Sequence, residues 1–184
     1  MAILDIIRMG HPTLRQIAAP YPVDKIGSEE FKTLIRDMHE TLHASGGIGL
    51  AAPQVNIPVQ VAVVEIINNE SRYGDIPTIP FSVFVNPVMT VIAEETAGYW
   101  EGCLSVPGMM GYVERPQHIR IDYLDEQASA RSMELTGFLA TVFQHEFDHL
   151  QGHLYIDRLK DPSLLSFEAE YRQFHQGKLA ELPD

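Results

Sequence analysis

The stretch "FQHEFDHLQGHLY", from Phe143 to Tyr155, carries three histidines at intervals of four residues: His145, His149 and His153. On an α-helix, residues four apart lie about 40° apart around the axis and about 6 Å apart along it. His145 and His149 can therefore bind one metal ion together, which is the physical basis of the H-E-x-x-H motif. The stretch predicts a metal-binding helix, although two such histidines are also compatible with polar residues beside a core.

The other polar residues of this stretch have different expected places. Glu146 lies about 60° from His149 around the helix, so its carboxylate can reach water at the metal without being a ligand. Asp148 falls on the opposite flank, where a supporting contact and plain solvation are equally compatible with the spacing. His153 is about 12 Å beyond the first histidine along a continued helix, which is too far for bonds of about 2 Å. Because Gly152 also favours a helix end, we expect His153 at the surface or in a loop.

Composition limits the possible classes of protein. The 184 residues are consistent with one domain over 1–184, and no segment approaches the roughly 20 apolar residues of a membrane span. The start, "MAILDIIRMG", has no basic residue before its apolar run and does not resemble a secretory signal. A net charge of -12 argues against binding to a nucleic-acid backbone. The single cysteine, Cys103, excludes an internal disulfide, so we expect a cytoplasmic protein that does not contact membranes.

The pattern of apolar residues predicts the secondary structure. Helical spacing occurs at 28–43, with Ser28 as N-cap, at 136–151, and more weakly at 162–176. Segments rich in β-branched residues predict strands at 59–67, 81–87, 88–96 and 118–125, and 68–80 has the composition of a polar loop. These elements indicate an α+β fold, with antiparallel β-sheets packed around a central helix that carries H-E-x-x-H, an N-terminal helix and a C-terminal helix.

A third metal ligand has three candidates. A histidine six residues after the motif, as in metzincins, is excluded because Tyr155 stands there. Glu168 and Glu170 lie downstream, and Cys103 lies upstream at a predicted strand-to-turn boundary. A lone cysteine is most often a small buried hydrophobic residue. If Cys103 is a ligand, however, it completes a set of three that leaves a fourth position for water, as catalytic sites do.

The glycine-rich segment "GGIGLAAPQ", from Gly46 to Gln54, permits a close backbone approach to a ligand. It lacks the lysine and hydroxyl residues of a phosphate-binding loop. It is also compatible with an ordinary loop after a helix. Gln54 is a neutral amide that can donate a hydrogen bond to an oxyanion.

Three motifs together resemble those of the peptide deformylase family: "GIGLAAPQ" (47–54), "EGCLS" (101–105) and "HEFDHL" (145–150). They occur in the family's order, and "IIRMGHPTLRQIAAPYP" (6–22) is similar to its N-terminal segment. The resemblance covers residues from about 5 to 160. It implies hydrolytic removal of the formyl group from the N-terminal formylmethionine of nascent proteins, with release of formate. A nascent substrate also implies transient contact with the ribosome.

By this resemblance, Cys103, His145 and His149 are the metal ligands, and Glu146 is general base and then general acid. The family commonly uses Fe²⁺, and Zn²⁺ or another divalent ion can occupy the site. The ligand types alone suit either metal.

The resemblance also implies five residues that contact the reacting group or the peptide. The side-chain amide of Gln54 and the backbone N–H of Leu104 would stabilise the oxyanion. Backbone groups of Ile48, Gly49 and Gly102 would contact the peptide.

Two other classes of function share these residues. A structural metal module would need a fourth protein ligand, for which the sequence offers no convincing candidate. Another metalloamidase or metallopeptidase would use the same site on a different acyl group.

One position departs from the family pattern. Many deformylases carry a basic residue seven positions after the motif cysteine, where this chain has Met110. Either Arg115 compensates from nearby, or the cleft lacks a charge contact to the peptide.

Overall fold

The computed structural model describes residues 2–67 and 78–177, so most of the predicted loop at 68–80 lies outside the described residues. These ranges contain the following helices and strands: α1 Glu29–Ser45, β1 Gly49–Ala51, β2 Val61–Ile66, β3 Ile79–Cys103, β4 Val106–Leu124, β5 Ala130–Thr136, α2 Gly137–Leu150, β6 Leu165–Phe167 and α3 Glu168–Phe174.

All paired strands are antiparallel, in the order β1-β2-β3-β4-β5, and β6 pairs with the start of β4 at Met109–Gly111. The short strand β1 therefore lies at one edge of the sheet. The predicted α+β class and the antiparallel arrangement are confirmed. No helix among the described residues has the length and apolar character that crossing a membrane would require.

Strand β2 separates two apolar clusters because its side chains alternate between opposite faces. Ala62 and Val64 face a cluster that includes Phe143 of α2. The odd-numbered residues of β2 face a second cluster, built with Met38 and Leu42 of α1. Burial on both faces fixes α1 and α2 on opposite sides of this strand, and α2 is the central helix that the sequence predicts.

The N-terminal helix α1 agrees with its prediction. The Ser28 hydroxyl accepts a hydrogen bond from the N–H of Phe31 at 3.1 Å and caps the first turn. The helix ends where Gly46 adopts a left-handed conformation with φ 68°.

Helix α2 has two sharply defined ends. It follows β5 directly, because Gly137 adopts φ 60° at the junction. At the other end the N–H of Gly152 donates to His149 O at 3.3 Å and that of His153 donates to Asp148 O at 2.9 Å. These two bonds form a Schellman motif. His153 therefore lies beyond the helix and is exposed, which confirms its predicted place.

Three predicted boundaries were wrong. The segments 81–87 and 88–96 belong to one strand, β3, which is interrupted by a bulge at Asn86 with φ 49°. The Asn86 side chain replaces lost ladder bonds, because it accepts from the N–H of Tyr21 at 2.7 Å and donates to the Tyr21 carbonyl at 2.9 Å. Strand β4 is much longer than 118–125. The predicted helix at 162–176 is only the short α3, which follows β6.

Candidate metal centre and active site

Cys103, His145 and His149 converge on one point. Cys103 is the last residue of β3, and the two histidines lie one turn apart on α2. One ligand atom from each lies within 4.8 Å of the others. Cys103 Sγ is 3.4 Å from Nε2 of His149, and the two imidazoles are nearly perpendicular, with centroids 5.2 Å apart. The hairpin end and the helix thus bring three ligands for one ion together, one thiol and two imidazoles.

The charges in this cluster suit a divalent metal. Burial raises the pKa of the Cys103 thiol, but His149 and His145 outweigh burial and hold that pKa well below its usual value. Burial lowers the pKa of His145, but Cys103 and Glu101 raise it well above its usual value. Both shifts favour the charged forms of Cys103 and His145, and metal ligands bind in their deprotonated forms, so metal binding would be coupled to proton release. A thiolate with two imidazoles fits Fe²⁺ or Zn²⁺.

A buried network of charges orients His145. Its Nδ1 lies 2.7 Å from Oε2 of Glu101, which leaves Nε2 available to the metal. The Arg115 guanidinium donates to Glu101 through Nε at 2.6 Å and Nη2 at 3.0 Å, and its Nη1 donates to Asp148 at 2.8 Å. Arg158 donates to the other oxygen of Asp148 at 2.7 Å. The network therefore ties the end of β3 to α2 through β4.

The carboxylates of this network remain charged although they are buried. Burial raises the pKa of Glu101, but its bonds to His145 and Arg115 outweigh burial and lower the pKa overall. For Asp148, burial likewise raises the pKa, and Arg158 and Arg115 lower it overall. The open question about Asp148 is thereby answered: its side chain is buried in ion pairs rather than solvated.

Glu146 lies beside the cluster and is only 6% exposed. Its Oε2 has no hydrogen-bond partner among the described residues, and burial raises the pKa of its carboxyl. A Cβ on Gly49 would overlap with this carboxylate. Gly49 does not have a positive φ, so glycine is needed here for space rather than for an unusual backbone conformation.

Gln54 is held by both ends of its amide. Oε1 accepts from the N–H of Ala51 at 2.8 Å, and Nε2 lies 3.3 Å from Ser105 Oγ and 3.6 Å from Cys103 Sγ. The bond to Ala51 assigns the amide orientation and directs the NH₂ group towards the metal ligands. Leu104 follows Cys103 in the turn between β3 and β4.

An open cavity of about 740 Å³ gives access to this centre. Each residue proposed to contact the peptide or oxyanion lines it: Ile48, Gly49, Gln54, Gly102 and Leu104. Cys103, His145 and Glu146 also line it, whereas His149 is 1% exposed and lies behind them. The volume is within the range of small-ligand sites.

The edge strand β1 orients backbone groups towards this cavity. The N–H of Glu65 donates to the Ile48 carbonyl at 3.0 Å, so that carbonyl is already occupied by the sheet. In an antiparallel ladder the next residue, Gly49, therefore directs its N–H and C=O away from β2. Ala51 follows the same alternation, which is why its N–H reaches Gln54. Gly49 is the residue of this segment that can pair with an extended ligand.

Comparison with known proteins agrees with the motifs. The family model described as polypeptide deformylase matches residues 3–164. The chain belongs to the peptide deformylase family. A peptide deformylase of Leptospira biflexa is 42% identical over 92% of this chain and 95% of its own length. Peptide deformylase 2 of Pseudomonas putida is 45% identical over 86% of this chain and 89% of its own.

A solved deformylase structure has the same fold. The class I type b peptide deformylase from Acinetobacter baumannii, described with bound Met-Ala-Ser, superposes with a TM-score of 0.82. It is 37% identical and covers 86% of this chain and 99% of its own.

The position that departs from the deformylase pattern, Met110, is 2% exposed and packs with Trp100 and Tyr171. The idea that Arg115 compensates for it was wrong, because that guanidinium is buried between Glu101 and Asp148 and cannot reach a peptide. Met110 itself lines the cavity, but through a buried, uncharged side chain.

The sequence alone did not predict that Glu101 and Arg115 support the proposed metal ligands. A signal for Glu101 was present: it lies two residues before Cys103 on one strand, so both side chains project from the same face. Arg115 had no such signal, because its contact with Asp148 depends on the pairing of β3 with β4.

Proposed function

We propose that this deformylase hydrolyses the N-formyl group of formylmethionyl peptides and releases formate. The observation that carries the proposal is the carboxylate of Glu146, buried and with no hydrogen-bond partner for Oε2 among the described residues, beside a cluster of one cysteine and two histidines. A structural metal site would not need a free carboxylate at an open cavity. We infer that the chain forms a single catalytic domain.

Cys103, His145 and His149 would hold the ion, and we assign Fe²⁺ as the native metal, with Zn²⁺ as an alternative. When bound, the ion supplies Lewis-acid chemistry, because it polarises a carbonyl and makes water more acidic. The bond from Glu101 would keep His145 in the tautomer that offers Nε2.

Glu146 would transfer the protons. Its carboxylate takes a proton from the attacking water and passes it to the amine that leaves as the formyl C–N bond breaks. Burial raises the pKa of the Glu146 carboxyl, and a raised pKa makes its carboxylate a better proton acceptor for the first step.

Gln54 and Leu104 would stabilise the negative charge that develops on the formyl oxygen. The Gln54 NH₂ group is fixed by the bond between its Oε1 and Ala51, so it needs no reorganisation during the reaction. Each such donor contributes about 3 kcal/mol in comparable oxyanion sites.

The peptide would bind along the edge of β1. Gly49 offers an outward N–H and C=O, so an extended substrate can pair there as an added strand. Gly102 also lines the cavity, and Ile48 contributes its side chain more than its carbonyl, which the sheet already occupies. The apolar residues Val142 and Phe138 line the same cavity and suit a methionine side chain. The Acinetobacter baumannii enzyme is described with bound Met-Ala-Ser, which supports a methionyl peptide as the ligand.

The proposed substrates are nascent chains, which places the enzyme in the cytoplasm and in transient contact with the ribosome. The experiment compares formyl-, acetyl- and unblocked Met-Ala-Ser with the Fe²⁺-loaded protein. We expect formate release from the first peptide and little turnover of the other two. Equal turnover of the acetyl peptide, or cleavage of the Met–Ala bond, would instead indicate another metalloamidase or a metallopeptidase.

A further inference from the structure

A second group of metal-ligating side chains lies outside the Cys103 cluster, on α1 and β2. His39 and His43 are one helical turn apart on α1, and Glu65 faces them from β2. One ligand atom from each lies within 4.8 Å of the others. Neither the motifs nor the proposed reaction uses these three residues.

The fold explains why they meet. On β2, Val61 and Val63 face the cluster that includes α1, and Glu65 continues on that face. A bulge between Val64 and Ile66 interrupts the pairing of β2 with β3 at this point. Bulges commonly redirect a side chain, and here the carboxylate projects beyond the apolar cluster towards α1.

The distance between His39 and Glu65 matches that between two ligands of one ion. His39 Nε2 lies 3.2 Å from Glu65 Oε2, and His43 Nε2 contacts the same oxygen. Two ligands that are each about 2.0–2.1 Å from a tetrahedral ion lie about 3.3 Å from one another. The two imidazoles are perpendicular, with centroids 4.5 Å apart, and Phe81 packs on His39 at 3.8 Å and restricts its ring.

We propose that His39, His43 and Glu65 form a second site for a divalent transition-metal ion such as Zn²⁺. Two imidazoles and one carboxylate are a donor set that Zn²⁺ accepts, and three protein ligands leave a position open. The half-exposed imidazoles, at 36% and 50%, make the site accessible from solvent and its ion exchangeable. The site lies on the wall of the large cavity, which His43 and Glu65 also line.

The test uses tag-free protein that carries one equivalent of metal in the Cys103 cluster. Equilibrium dialysis against micromolar Zn²⁺ should show a second equivalent per chain. His39→Ala, His43→Ala and Glu65→Gln should each lose that equivalent. His118→Ala is the matched control, because His118 also contacts a carboxylate, Glu134 at 3.2 Å, but has no second histidine in the group. The control should bind as much Zn²⁺ as the unaltered chain.

Anomalous scattering at the zinc edge should place the second ion between Nε2 of both histidines and the Glu65 carboxylate. No second equivalent in the unaltered chain would overturn the proposal, as would its retention in the His39 and His43 variants. Cys103→Ser should affect only the first equivalent, so this test is independent of the proposed catalytic activity.

Discussion

Nδ1 of His145 lies 2.7 Å from Oε2 of Glu101, and Arg115 holds that same carboxylate from its other side. His145, a proposed metal ligand, is thereby held in place by Glu101 on β3, and Glu101 is held in turn by Arg115 on β4. Because Glu101 is 6% exposed, solvent does not replace this contact when it is lost.

Glu101→Gln should weaken metal binding without removing any proposed ligand. The amide keeps the shape of the side chain, but it removes the charge that orients His145 and balances Arg115. Loss of such a partner typically costs about 10–100-fold in metal affinity. Competition with a chelator measures this change. Glu114→Gln is the control, because Glu114 lies on β4 and pairs with Lys160 at an exposed position. The metal affinity of this variant should be unchanged.

Cys103→Ser should lose activity and the metal ion of the Cys103 cluster. A hydroxyl is a poor ligand near neutral pH, whereas the histidines favour the thiolate of Cys103. The loss of metal affinity should be larger than the loss of about 10–100-fold that follows removal of a residue that only orients a ligand. Metal content after dialysis and formate release measure it. His153→Ala, in the same histidine-rich stretch but outside the cluster, should retain both, and a fully metal-replete, active serine variant would end the assignment of Cys103.

Gly49→Ala should reduce kcat while the protein keeps its metal. The added Cβ overlaps with the Glu146 carboxylate, which must then move away from its buried position. Steady-state kinetics and metal analysis measure the two effects. In the matched variant Gly47→Ala, the Cβ meets the ends of two leucine side chains, Leu104 at 3.0 Å and Leu42 at 3.2 Å, rather than Glu146, so the loss should be smaller. Equal, unchanged kcat in both would mean that Glu146 does not need the space at Gly49.

Met110→Arg should destabilise the fold rather than improve peptide binding. A guanidinium would replace a side chain that is 2% exposed and packed with Trp100 and Tyr171. Burying an unpaired charge belongs to the strongly destabilising class of substitutions, and we expect a loss of about 3 kcal/mol. Urea denaturation measures it, with Met109→Arg at the half-buried neighbouring position as the milder comparison. If Met110→Arg kept its stability and had a lower KM, the result would instead indicate that position 110 contacts the peptide.

The sequence predicted the parts of this molecule that depend on local spacing. The i, i+4 histidines, the Ser28 cap and the helix end at Gly152 follow from helix geometry, and the structure confirms these helical features. The antiparallel class followed from the β-branched segments.

Features that depend on pairing between distant strands could not be predicted in this way. Asn86 and Pro87 have turn-forming composition, but bonds to Tyr21 hold Asn86 in a bulge within one strand. From the sequence alone, Arg115 is compatible with an exposed contact to the peptide. Only the pairing of β3 with β4 shows that it is buried.

The measurement that tests the account most directly is formate release per bound metal by Glu146→Gln. Glutamine preserves the size of the side chain but cannot carry a proton, so metal content should be unchanged while kcat falls by about 10²–10⁴-fold. Glu168→Gln, at another glutamate that lines the cavity, should keep normal turnover. A near-normal kcat in metal-loaded Glu146→Gln would contradict the proposed role of Glu146 and the mechanism built on it.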